Sequence, residues 1–309
     1  MIKQNVPDGK HIRGMTVVNT YVALSGKRDK KSIKDALLLG WCLEFYHSFM
    51  SLVEDIMDDS KLRRGRSCWH QLVGMRGVND SFTLEGFVYQ LLKKYFGKHL
   101  HYLEIVELFI SAGLCSELGK TLEMSTVDYK TKKPIISKYT FDHFQKIVHL
   151  KKGIVSYYLP VALGIVLATR KKVSVQSVEH QKKLKEAKKI AFQIAILNHI
   201  KNDYLDNLGS EIRTKNYTEI KMGKCSWLIV TALSQANEDE AKTLKKHYGS
   251  DQNKSIQFVQ EIYNQLNLEK SYKDFETNIN KSLEYSLNNL KHNPKEIFFF
   301  LIDQSKKYY

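Results

Sequence analysis

A chain of 309 residues with 48 Lys and Arg against 33 Asp and Glu carries a formal charge of +15; it is long enough to bury a large core, as one big domain or two ordinary ones. Four prolines and sixteen glycines are few for that length, and long breaker-free stretches rich in Leu, Ile, Lys and Tyr favour an all-α fold. The basic excess runs through helical stretches such as residues 182–189 with no zinc finger, RNP-type aromatic motif or Gly/Arg tract beside it, so these lysines read as solvated faces that help draw in an anionic substrate, and nucleic-acid binding is set aside.

The first ten residues have neither the apolar core of a signal peptide nor the amphipathy of a transit peptide. Residues 35–57 read as a long, largely apolar helix. Residues 80–95 and 100–124 read as two further amphipathic helices, and a turn at 130–134 separates them from a helix at 139–151. Residues 153–168 follow as another helix, kinked at Pro160. Residues 175–208 form a long helix with Gly209 as its stop. The polar, lysine-bearing stretch 209–224 is expected to be a mobile lid, and helix returns from Cys225 to Tyr309. No uninterrupted apolar run reaches the ~18 residues of a spanning helix. The cysteines, Cys42, Cys68, Cys115 and Cys225, form no C-x-x-C pair and read as reduced structural thiols. A single domain over 1–309, with no membrane span and a cytoplasmic location, is expected.

Two acidic clusters carry the chemistry. Glu54 and Asp58 stand four residues apart, on one helix face. Asp55 and Asp59 flank them, and Arg63 and Arg64 follow. Carboxylate oxygens suit Mg²⁺ and guanidinium forks grip phosphate oxygens, so the set points to a magnesium-diphosphate substrate. Far downstream, Asn202-Asp203-Tyr-Leu-Asp206 repeats the spacing. A lone D-x-x-x-D is more often a solvated helix face. Here both clusters lie in apolar, helix-like surroundings (41–57 and 191–208) with bases downstream, and two such clusters are expected to face each other across a cavity.

Further landmarks occur in order: Gly9-Lys10-His-Ile-Arg13-Gly14, then Glu54-Asp55-Ile-Met-Asp58 with Arg63-Arg64-Gly65, then Lys151 ahead of Ser156-Tyr157-Tyr-Leu-Pro160, and finally Lys215 and Lys224-Cys-Ser-Trp227. Together they resemble the trans-isoprenyl diphosphate synthase family, its animal farnesyl diphosphate synthase branch in particular. The resemblance implies one bundle of antiparallel helices around a deep central cavity, as a homodimer. It assigns Lys10 and Arg13 to isopentenyl diphosphate, and the metal motifs to Glu54, Asp55 and Asp58 and to Asn202, Asp203 and Asp206. Three Mg²⁺ ions are implied, with Mn²⁺ as a substitute. The family's first helices have no counterpart here, so the chain is expected to be a fragment or a shortened form.

Departures from the family pattern bear on the reaction. Glu54 and Asn202 stand where the family has Asp, His47 and His199 where it has Gln, Lys152 where it has Thr, and Asp8 for the first glycine of its Gly-Gly-Lys element. These changes fall mostly on the second-substrate half while the metal spacing survives. They favour a class I terpene synthase that ionises farnesyl or geranyl diphosphate to a sesquiterpenoid or monoterpenoid. The alternative is a short-chain trans-prenyltransferase, regular or irregular, which Lys10, Arg13 and Arg64 support. A weakened regulatory partner is a third reading, opposed by Asp58, Lys151, Lys215 and Asp206. In either enzyme Glu54, Asp58, Asn202 and Asp206 would hold the metal. Arg63, Lys151, Lys215 and Lys224 would neutralise the departing diphosphate of the allylic substrate. Phe49, Tyr157 and Tyr204 are candidates to shield the cation, and bulk at Phe49 and Met50 fits a C10 to C15 chain.

Overall fold

A computed structural model describes residues 1–169, 177–208 and 217–308. The fold is all-α, as expected. In chain order the helices are α1 (Ile2–Asn5), α2 (Ile12–Ser25), α3 (Lys34–Met57), α4 (Trp69–Val73), α5 (Arg76–Phe96), α6 (Tyr102–Met124), α7 (Phe141–Val148), α8 (Leu159–Ala168), α9 (Val178–Asn207), α10 (Thr218–Met222), α11 (Trp227–Gln235), α12 (Glu238–His247), α13 (Asn253–Gln265), α14 (Leu268–Asn288) and α15 (Glu296–Tyr308). Between α3 and α4 a short antiparallel hairpin pairs β1 (Leu62–Arg63) with β2 (Arg66–Ser67). Contacts group the chain into two compact units. The first comprises Met1–Ala112, Val155–Ala187 and Leu290–Gln304, and the second Gly113–Ile154, Lys188–Asn289 and Ser305–Tyr309.

In the first unit α3 carries an apolar stripe, Leu39, Leu43, Tyr46, Phe49 and Leu52, at steps of three and four. The Tyr46 hydroxyl donates to the carbonyl of Phe109 at 3.1 Å, so its polar end is satisfied inside the core. Close helix crossings depend on glycine. A Cβ on Gly40 would stand 2.7 Å from the Gly14 carbonyl oxygen, and one on Gly164 would stand 2.4 Å from Thr20 Cβ. Thus α2 is pressed against both α3 and α8. The latter is apolar throughout and buried along nearly its whole length, as a helix enclosed on every side must be.

Residues 139–168 depart from the expected pair of helices. A π-helical stretch, His149–Tyr158, joins α7 directly to α8, and Gly153 breaks nothing because the Phe192 ring takes the space its side chain would fill. Pro160 lies in the first turn of α8, directly after the π stretch. Two described helical runs, Lys34–Met57 and Phe141–Ala168, are long and apolar enough to cross a membrane by composition, yet 61% and 67% of those windows are buried within the protein, as in core helices.

Candidate active site

The last turn of α3 concentrates negative charge where the helix dipole is already negative. Glu54, Asp55, Asp58 and Asp59 crowd the C-terminal end, and like charges one turn apart oppose each other by a few tenths of a kcal/mol per pair. The helix stops there at once: Asp58 N donates to the Glu54 carbonyl at 2.9 Å and Asp59 turns to φ 44°. Such an arrangement favours cation binding over stability. Glu54 and Asp58 are half-buried, whereas Asp55 is only 2% exposed.

Asp55 therefore does not join them as a metal ligand, contrary to expectation. Its face of α3 turns inward, and its carboxylate accepts two parallel bonds from Arg63, Nε to Oδ2 and Nη2 to Oδ1, both 2.6 Å. Burial disfavours the Arg63 charge, but the bonds and charge of Asp55 prevail and hold the guanidinium above its ordinary pKa. Asp59 pairs with Lys61 at 2.7 Å and lies 3.6 Å from His70.

The hairpin that follows exists to turn the chain in two residues. Both turn positions need positive φ, and Arg64 (53°) and Gly65 (76°) supply it. Glycine adopts this freely; for Arg64 it costs roughly 1–2 kcal/mol. That strain presents Arg64 to a hollow of about 240 Å³, which Arg63, Arg64, Arg66, Ser67 and Cys68 line together with Gln4, Asn5 and Asp8. Arg64 is held below its ordinary pKa by partial burial and by Arg63, and Arg13 adds to the effect. Cys68 is buried and its thiol is pushed up to about 11, mainly by desolvation and Asp55, which makes it inert. Arg13 donates to the Ser156 hydroxyl at 2.8 Å, and the next residue, Gly14, donates its N–H to the buried Glu44 carboxylate at 2.7 Å. His47 is half-buried and Lys10 exposed. Phe49 is 4% exposed, its ring 5.6 Å from that of Tyr46.

In the second unit the sequence reading missed two residues. Glu123 on α6 accepts from Lys151 at 2.8 and 2.9 Å and from Lys120 at 3.0 Å. All three side chains are nearly enclosed, and Lys224 acts on the same carboxylate. Burial alone would raise the Glu123 pKa, but the ammonium groups of Lys151, Lys120 and Lys224 outweigh it and drive the carboxyl far below its usual range. The enabling feature is Gly119: a Cβ there would come within 2.5 Å of the Lys151 backbone nitrogen. The signal was present in the sequence as Gly-Lys-x-x-Glu at helical spacing. Lys152 and Tyr157 ride the same π stretch, both half-buried.

At the end of α9, Asn202 is half-buried and Asp206 exposed, but Asp203 is buried. Like Asp55, Asp203 is committed to the protein, accepting the Trp227 N–H at the start of α11 (2.9 Å). Burial and the nearby Glu219 and Asp206 carboxylates raise its pKa well above the ordinary value. His199 lies one turn earlier, Nε2 3.9 Å from Asp203 Oδ1. Tyr204, expected as a cation shield, instead stacks flat on Tyr272 at 4.0 Å. Lys215 and residues 209–216 of the expected lid lie outside the described residues; 218–222 of it form α10.

Among the described residues no three His, Cys, Asp or Glu side chains converge to enclose a metal ion. Mg²⁺ does not require that, since it commonly takes one or two carboxylates and completes its shell with water and substrate phosphate. Glu54 and Asp58 in the first unit, and Asn202 and Asp206 in the second, are oxygen donors of that kind.

A family model described as polyprenyl synthetase matches residues 1–266. The chain belongs to the polyprenyl synthetase family. This is the trans-isoprenyl diphosphate synthase group that its motifs resemble. Among its relatives are the farnesyl pyrophosphate synthases of Gallus gallus, 34% identical over 99% of this chain and 83% of that protein, and of Saccharomyces cerevisiae, 34% identical over 92% and 80%. The bifunctional chrysanthemol synthase of Tanacetum cinerariifolium is 34% identical over 95% of this chain and 72% of that protein.

Proposed function

We propose that the protein is a short-chain trans-prenyltransferase that joins isopentenyl diphosphate to an allylic diphosphate. The relatives, mainly farnesyl pyrophosphate synthases, support this reading over the terpene synthase that the substitutions at His47, Lys152, His199 and Asn202 favoured. One structural observation carries it. The first unit holds, besides its half-buried carboxylates, a hollow into which Arg64 and Arg66 extend the cationic lining beyond the Asp55-bound Arg63. A lyase needs one diphosphate grip; a coupling enzyme needs two.

Mg²⁺, held by Glu54 and Asp58 in the first unit and by Asn202 and Asp206 in the second, would neutralise charge on the allylic diphosphate. Arg63, fixed in orientation by Asp55, and Lys151, fixed by Glu123, would stabilise the diphosphate as the C–O bond breaks. Lys215 and Lys224 would add to this, and Lys10, Arg13 and Arg64 would hold isopentenyl diphosphate. Phe49, buried on the stripe of α3 one turn before Glu54, would limit product length. A homodimer is proposed from an uncovered apolar stripe on α6, where Leu103, Ile110, Leu114 and Leu118 are each at least half exposed.

The deciding experiment incubates the protein with Mg²⁺ and each allylic diphosphate, with and without isopentenyl diphosphate, and analyses both headspace and diphosphates. A longer prenyl diphosphate formed only with isopentenyl diphosphate supports the proposal. A volatile terpenoid from farnesyl or geranyl diphosphate alone restores the lyase reading.

A further inference from the structure

The hollow of the first unit is not purely cationic. Asp8 shares its lining with the three arginines and pairs with Arg66, Oδ2 to Nη1 at 2.6 Å. At 43% and 62% exposure both side chains remain within reach of a dissolved anion. The loop bearing Asp8 is held on its far side. His11 is left-handed at φ 49° with Nε2 2.8 Å from the Pro7 carbonyl. Gly9 lies so near Arg64 that a Cβ would stand 3.2 Å from Nη2. The carboxylate is thus a counter-ion placed by the backbone. It uses donors of Arg66 that a phosphate oxygen would otherwise take, and it repels any anion entering beside it.

We propose that Asp8 is a built-in competitor for this hollow: it occupies Arg66 in the resting protein, an incoming diphosphate displaces it, and it thereby sets the affinity for the second diphosphate substrate. The inference rests on reading the hollow as the isopentenyl diphosphate site. An exposed ion pair is weak, so the competition costs a small factor, about two- to fivefold in affinity, and does not close the site. Both pairing and repulsion are screened, so the factor shrinks as ionic strength rises.

The test uses the full chain and two readouts. The first is calorimetric binding of inorganic pyrophosphate with chelator present, which leaves the carboxylate clusters without metal; the second is KM for isopentenyl diphosphate, each at low and high salt. Asp8→Asn should bind pyrophosphate about two- to fivefold tighter at low salt, with KM falling in parallel. Arg66→Gln should bind it more weakly and should reduce the gain from Asp8→Asn in the double variant. Asp8→Gly serves as the second variant should Asp8→Asn fold poorly. Equal or weaker binding in these variants overturns the proposal, as does a wild-type protein that binds no pyrophosphate. If binding responds as stated but no longer prenyl diphosphate forms, the competitor stands and the coupling reading falls. If coupling proceeds with KM unmoved, the reverse holds.

Discussion

At the scale of single residues, the acidic side chains separate by burial into ligands and anchors. Asp58 lies half-buried at the end of α3, with the helix dipole and Glu54 both opposing its charge. Asp58→Ala is therefore expected to abolish Mg²⁺-dependent turnover while Tm holds or rises slightly; a turnover assay beside a melting curve checks both. A steep fall in Tm would mean Asp58 is structural. Glu123 is the opposite case. Removing its charge leaves Lys120 and Lys151 enclosed without their carboxylate, which costs on the order of 3–5 kcal/mol. Glu123→Gln should accordingly lower the denaturation midpoint and raise KM for the allylic diphosphate. The pH dependence has a definite sign. The folded pKa lies below the unfolded value of 4.5, so the stabilisation is present above pH 4.5 and drains away as pH falls beneath it. Acid titration of stability should be shallower in Glu123→Gln than in the native protein.

At the scale of elements, α3 was legible almost to the residue. A long apolar run ending in carboxylates reads directly as a helix, and Lys34–Met57 answers to 35–57. The π stretch was not legible, because Gly153 and Pro160 look like breakers in isolation. The Phe192 ring beside Gly153 and the place of Pro160 directly after the π stretch come from the fold alone. Site residues divided similarly. Glu54, Asp58, Arg63 and Arg64 announce themselves by spacing, but the inward turn of Asp55 and Asp203 depends on which helix face meets the core, which a four-residue pattern does not specify. Glu44 was missed because its partner Gly14 is distant in sequence; Glu123 was missed although Lys120 stands one turn away, because Lys151, which makes it a buried cluster, comes from a distant stretch. The crossing of α2 and α3 yields a prediction of its own. Gly40→Ala pushes a methyl into the Gly14 carbonyl, so denaturant unfolding should show a loss of about 1–3 kcal/mol. Since Gly14 is bonded to Glu44 and follows Arg13, KM for isopentenyl diphosphate should rise as well. An unchanged midpoint would mean the crossing is looser than the backbone distance indicates.

For the whole molecule, the family assignment and the all-α class agree with composition and motif order, while the reaction type did not follow from the residues alone. Substitutions at polar positions change what a pocket prefers without stating which reaction results, and here the relatives weigh toward coupling. The uncovered stripe on α6 bears on assembly. Leu114 stands near its middle at 56% exposure, with Ile110 and Leu118 one turn away on either side. In a two-fold interface a charge placed there meets its own copy, so Leu114→Glu should shift sedimentation from dimer to monomer while the circular dichroism of the chain is retained. A native protein that sediments as a monomer would remove the dimer from the proposal.

The two units present different cationic groups. The hollow lining of the first holds three guanidiniums and no lysine, whereas the Glu123 cluster of the second is built from primary amines. Guanidinium stays charged at any pH the fold survives and resists acylation; an amine can be acetylated or carbamylated and loses its charge when it is. Amine-directed chemistry can therefore alter the charge of the second unit's cluster while the guanidiniums that line the hollow of the first stay charged.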